Sequence, residues 1–205
     1  MGEKRQVLTS DDTSSLVIDN LCDRARAQDA TVACFYFDFA AQNEQSPTSV
    51  LGSLLKQLVC GQGEIPEEIS RAYEDQKNAI GGRGPRLSDI VKMIHTASSK
   101  RHTFICIDAL DECVAGHLVK LLGSLNQIIE KAPGARIFVT GRPHILPEIE
   151  RCLKGRVASV SVSPKRDDIV TYLRSRLYED TTRDAMNSSL EADILKKIPA
   201  DVSEM

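Results

Sequence analysis

The sequence predicts a three-layer α/β fold, a parallel sheet with helices on both faces. Three observations carry this. Strand-like and helix-like segments alternate along the chain, the pattern of repeated strand–helix–strand crossovers. The run Phe104-Ile-Cys-Ile107 is continuously apolar, as a strand covered on both faces must be. Finally, 205 residues with 41% apolar content are enough chain to bury a core without a disulfide framework or a structural metal.

The elements follow in order. Residues 11–27 carry Leu16, Val17, Leu21 and Ala25 at helical spacing, with Ser10 or Asp11 as a cap. Thr31–Phe39 is rich in β-branched and aromatic residues and reads as a buried strand, with Phe35, Tyr36 and Phe37 serving the core. Ser46-Pro47 opens a helix through Leu51, Leu54, Leu55 and Leu58, and Ile65-Pro-Glu-Glu68 opens another. Residues 79–85, with Gly81, Gly82 and Gly84, form a flexible connection. Ser88 leads a helix that turns Ile90, Val91 and Ile94 inward. After the strand at 103–108 come a helix over 118–129, a strand over 135–140 and a short helix over 145–153. Val157–Val162 alternates as a strand does, and helices follow from Asp167 to Leu177 and from Leu190 to Ile198.

Composition narrows the function. A formal net charge of −3 lacks the basic excess of a nucleic-acid binder, so no nucleic-acid partner is expected. The cluster Lys92, Lys100, Arg101, His102 reads as a solvated helix end. No apolar run approaches membrane-spanning length, the N-terminus has no secretory pattern, and Gln6 stands where a myristoylation site wants Ser or Thr. The six cysteines, Cys22, Cys34, Cys60, Cys106, Cys113 and Cys152, form no C-x-x-C pair. They read as reduced, packed thiols of a cytoplasmic protein. The four histidines show no metal-ligand spacing.

Ligands of parallel sheets bind beyond the carboxyl ends of the strands, so the residues that follow each strand matter most. After strand 103–107 stand Asp108, Asp111 and Glu112. Asp108 leaves the sheet first and suits Mg²⁺, a hard cation that takes carboxylate oxygen. Asp111 or Glu112 is placed to orient or deprotonate a water. The plainer reading is a solvated loop whose acids favour the next helix. After strand 135–139 stand Thr140, Gly141, Arg142 and Pro143, a hydroxyl and a guanidinium placed for phosphate, or simply a turn. A two-metal phosphodiesterase site is the least supported alternative, since only Asp38 adds a carboxylate from another strand end.

Phe104-Ile-Cys-Ile-Asp108-Ala-Leu-Asp111-Glu112-Cys113 resembles the Walker B segment of NACHT-type STAND P-loop NTPases, especially the fungal proteins with a nephrocystin 3-like N-terminal domain. Arg136-Ile-Phe-Val-Thr140-Gly-Arg142-Pro143 is similar to that family's sensor 1 strand. Ser14–Asp19, Cys34–Asp38 and Asp168–Tyr172 resemble further family segments, so the likeness covers residues 10–205. It implies a P-loop NTPase-like sheet, ATP or ADP with Mg²⁺ as cofactors, and a signalling switch that works through protein partners or self-association. Carried over, Asp108 handles the metal, Asp111 and Glu112 the hydrolytic water, and Thr140 and Arg142 the γ-phosphate.

One departure stands beside the match. The family's phosphate loop, G-x-x-x-x-G-K-[ST], belongs just before the helix that begins near residue 11, and this chain has no Gly-Lys dipeptide. Thr9, Ser10 and Asp11 occupy the positions of Gly, Lys and Thr, and Asp11 and Asp12 would repel a triphosphate. Arg5–Thr9 could remain as a remnant of the phosphate-loop strand, which is therefore expected to be degenerate or absent. The expected organisation is a degenerate segment over 1–10, a partial NACHT core over 11–178, and over 179–205 the start of a truncated helical region. Weak or absent nucleotide hydrolysis follows, with a non-catalytic module docking on intact relatives as the alternative.

Overall fold

A computed structural model describes residues 10–61, 65–78, 84–99, 101–162, 165–179 and 188–201. The chain divides into two compact units, one over Asp12–Ala158 and one that includes Ser159–Met205. In the first unit, α1 (Ser10–Gln28) leads through Asp29, whose backbone is left-handed at φ 50°, into β1 (Ala30–Tyr36). Then come α2 (Pro47–Cys60), α3 (Glu67–Asn78), α4 (Leu87–Ser98) and β2 (His102–Asp108). α5 (Ala115–Lys131), β3 (Ala135–Val139) and α6 (Leu146–Leu153) complete it. In the second unit α7 (Arg166–Glu179) packs on α8 (Ser188–Asp201).

Among the described residues the sheet has three strands in the order β1-β2-β3, all parallel. Cys34 stands opposite Cys106 and Cys106 opposite Phe138, so side chains alternate in common rows across the sheet. One face presents Ala33, Ile105 and Ile107 to α2, α4 and α5, whose Leu51, Leu54, Leu58, Ile94, Leu121, Leu122 and Leu125 are fully buried. The other face presents Val32, Cys34, Phe104 and Cys106, and α1 lies on that side: Cys22 is near enough to Cys106, and Asp19 to Tyr36, to bear on their protonation. Helices therefore lie on both faces, as a continuously apolar central strand requires.

Local chemistry explains the element ends. Ser46 caps α2, its hydroxyl accepting from the Ser49 N–H at 3.2 Å, with Pro47 at the first helical position. The outer edge of β1 is closed by one side chain. Gln57 of α2 accepts from the Cys34 N–H at 2.9 Å and donates to the Cys34 carbonyl at 2.8 Å, so its amide stands in for a neighbouring strand.

Two expectations are corrected. Val157–Val162 is not a strand; it forms no ladder among the described residues, and Val160 and Val162 are 84% and 71% exposed. Alternation supplies a face but not a hydrogen-bonding neighbour, and a strand forms only against one. Tyr36 is not a core residue: it is half exposed on the face opposite Phe35 and Phe37, which make an edge-to-face pair 5.1 Å apart. The expected strand remnant at Arg5–Thr9 and the loop glycines Gly81 and Gly82 lie outside the described residues, as do the side chains of Ser10, Asp11 and Asp12.

Gln57→Ala is expected to lower stability by about 1–3 kcal/mol, because it strands two backbone groups of Cys34. Leu54→Ala, which opens a cavity among fully buried side chains, is expected to cost roughly 2–5 kcal/mol. Urea unfolding followed by circular dichroism reads both, and an unchanged midpoint for Gln57→Ala would refute the edge-closing role.

Candidate nucleotide-site rim

The carboxyl ends of β2 and β3 are joined residue by residue. The Thr140 N–H donates to the Ile107 carbonyl at 3.0 Å, and the Leu110 N–H donates to the Thr140 carbonyl at 2.9 Å. The Thr140 hydroxyl donates to Asp108 Oδ1 and accepts from the Ala109 N–H at 3.0 Å. Ala109 sits between them at φ 52°, ψ 45°, a left-handed backbone that costs a non-glycine residue about 1–2 kcal/mol. Three bonds from one residue hold that strained turn in place.

Asp111 follows in a short 3-10 turn, Leu110–Glu112. Its carboxylate, 9% exposed, faces Arg142: Oδ1 accepts from the Arg142 N–H at 3.2 Å and Oδ2 lies 3.4 Å from Arg142 Nε. The guanidinium itself is 77% exposed, so the ion pair is held from the acid's side. Gly141 makes this approach possible. A Cβ there would lie 2.7 Å from Ile145 Cδ1 and 3.3 Å from Asp111 Oδ1. Glu112 is half-buried, and its carbonyl accepts from Gln42 Nε2 at 3.0 Å, which ties the loop after β1 to this rim. Burial pushes the neighbouring Cys113 thiol up to about 11.

All five residues read from the sequence, Asp108, Asp111, Glu112, Thr140 and Arg142, thus come to one rim. They do not converge on one point. Asp108 turns to Thr140 and Asp111 to Arg142, and among the described residues no three His, Cys, Asp or Glu side chains gather where a metal ion could sit. Asp38 does not join them, because its carboxylate accepts from the Ala40 N–H at 2.8 Å and caps the turn after β1. The Asp108 carboxylate suits Mg²⁺ as a single hard oxygen donor, since that ion takes one or two carboxylates and completes its shell with water and phosphate. The fit to a triphosphate is poor: the sequence supplies no phosphate loop and the Arg142 guanidinium is engaged by Asp111.

Two cavities of about 350 Å³ lie away from the rim. One is at the opposite end of the sheet beside Asp29, Arg101 and Lys131; the other lies between α3 and α4. In the first, Arg101 of the basic cluster pairs with Asp29 at 3.2 Å, close to the ends of three helices where cations are favoured. Lys100 of that cluster lies outside the described residues.

The family model described as Nephrocystin 3, N-terminal matches residues 13–142, well over half of the chain. The chain belongs to this family. Its matched region contains every residue of the rim. Comparison with curated proteins gives no match. Among solved structures, the Orc1 protein of Aeropyrum pernix in complex with DNA is similar at 16% identity and a TM-score of 0.48, over 84% of this chain and 42% of that one. The Walker-type ATPase of Pyrococcus abyssi is similar at 13% identity and a TM-score of 0.47, over 95% of this chain and 58% of that one. The chain of this nephrocystin 3 N-terminal family member therefore spans about half the length of those structures.

Sequence reasoning did not find Gln42, which meets Glu112 across seventy residues with no local motif. It treated Gly141 as a turn former, whereas Ile145 and Asp111 also crowd the space a Cβ would fill there. Thr140→Val is expected to destabilise by about 1–3 kcal/mol, since it leaves the Ala109 N–H and Asp108 without their shared partner, while Thr140→Ser retains most of that stability. Gly141→Ala is expected to cost less, about 1 kcal/mol, since the end of the Ile145 side chain must shift and Asp111 must give slightly. Denaturant midpoints for the three variants check both statements.

Proposed function

We propose that this chain is the Walker B and sensor 1 portion of a NACHT-type nucleotide-binding domain from a STAND signalling NTPase of the fungal kind, with little or no hydrolysis of its own. The observation that carries the reading is the joining of Asp108 to Thr140 and of Asp111 to Arg142 across the ends of adjacent parallel strands. A Walker B acid and a sensor residue need that adjacency to face one nucleotide. In this reading Asp108 holds Mg²⁺, which would neutralise phosphate charge when bound. Asp111 and Glu112 address the water, and Thr140 and Arg142 the γ-phosphate. Arg142 must leave Asp111 to do so. Without Lys and the backbone cradle of a phosphate loop, the chain lacks the groups that fix the β- and γ-oxygens. No hydrolytic step is therefore assigned to it. We place residues 11–178 in the NTPase core and 179–205 in the region that follows, and the protein in the cytoplasm.

A second reading is favoured by one specific observation. Among the described residues the outer edge of β3 carries no strand. An open parallel edge is a template for pairing, so the chain could act as a non-catalytic module that docks on intact relatives.

A thermal-shift titration with ATP and ADP, with and without Mg²⁺, tests the proposal, because a ligand of the folded state raises Tm by mass action. The expected result is no saturable rise and no phosphate release. A Mg²⁺-dependent rise that Asp108→Ala abolishes would overturn the prediction of lost function, though not the assignment of Asp108. Complex formation with a relative that is indifferent to ATP would favour the docking module.

A further inference from the structure

The face of the sheet beneath α1 carries a chemistry that the nucleotide reading does not use. Cys34 of β1 and Cys106 of β2 are direct partners in the parallel register, and their side chains project on the same face. Neighbouring strands lie about 4.8 Å apart. A separation of that order falls within the roughly 4.4–6.8 Å between Cα atoms that a disulfide spans, and closing the bond must draw the two Cβ atoms in to about 3.5–4.5 Å. Both backbones are pinned. Gln57 holds the N–H and carbonyl of Cys34, and Cys106 is paired with Cys34 on one side and Phe138 on the other. The two thiols bear on each other's protonation, and Cys22 of α1 lies near enough to Cys106 to do the same. Access is unequal, since Cys34 is half-buried while Cys106 is 1% exposed.

We propose that Cys34 and Cys106 form a reversible, oxidation-responsive thiol pair that a hydroperoxide converts to an intrasheet disulfide. The more accessible Cys34 sulfur attacks a peroxide oxygen. The O–O bond breaks, an alcohol or water leaves, and Cys34 becomes the sulfenic acid. The Cys106 sulfur then attacks the Cys34 sulfur. The S–S bond forms, the S–O bond breaks, and the departing hydroxide leaves as water with the Cys106 proton. The two thiols lose two electrons together, and the peroxide takes them. The bond joins the strands two residues before Tyr36 and Asp108. A thiol reductant reverses it.

The test treats the full chain with hydrogen peroxide, blocks remaining thiols with iodoacetamide, and maps the peptides by mass spectrometry without reduction. The expected result is one peptide pair joined through Cys34 and Cys106, with the loss of two hydrogens in mass, and its disappearance after dithiothreitol. Cys34→Ser is expected to abolish the linked pair. Cys106→Ala is expected to leave Cys34 as a sulfenic acid that dimedone captures. The wild-type map stands even where a variant fails to fold. Recovery of Cys106 fully alkylated from oxidised protein, a Cys34–Cys22 link, or oxidation confined to the exposed Cys60 would each overturn the proposal.

Discussion

The central strand is the constraint on which the first unit depends. β2 is paired along both edges, to β1 and to β3, and covered on both faces. Ile105 and Ile107 are fully buried against α2, α4 and α5, each worth roughly 1.5–3 kcal/mol of transfer from water. The backbone polar groups of such a strand have no access to solvent, so both ladders must form. That requirement brings the ends of β2 and β3 side by side, and with them Asp108 and Thr140.

The rim shows how a run of acids becomes something other than a metal cage. Asp108, Asp111 and Glu112 are close in sequence, yet beyond the left-handed turn at Ala109 the Asp108 and Asp111 carboxylates turn to separate partners. The strain at Ala109 is tolerated because Thr140 satisfies both the Ala109 N–H and the Asp108 carboxylate. Thr140 is thus a structural joint whatever else it does. Arg142 is held more loosely, its guanidinium exposed on a single acid, so it is the member of the rim that can move at little cost.

The two edges of the sheet are finished differently. At β1 a glutamine amide replaces the missing neighbour. At β3 no described residue does so. Val157–Val162 has the alternation of a strand and no ladder among the described residues. The same sheet also brings Cys34 to Cys106, residues with no relation in sequence, through register alone.

Most helices and the three strands were legible from apolar periodicity, β-branched runs and punctuation by Ser46-Pro47 and Pro143, because these act over one or two turns. The rim residues were legible as chemistry that follows strands, and the family as motifs in order. Gln57 carried a weak signal, a long polar side chain on a helix otherwise burying Leu54 and Leu58; Gln42 carried none. By itself the sequence determined which segments could be strands and which acids would stand at the carboxyl ends. Only the tertiary structure decided which strand-like segment found a partner and where each carboxylate turned. A ladder and an ion pair both need a second piece of chain, and its position is set by packing far away in sequence.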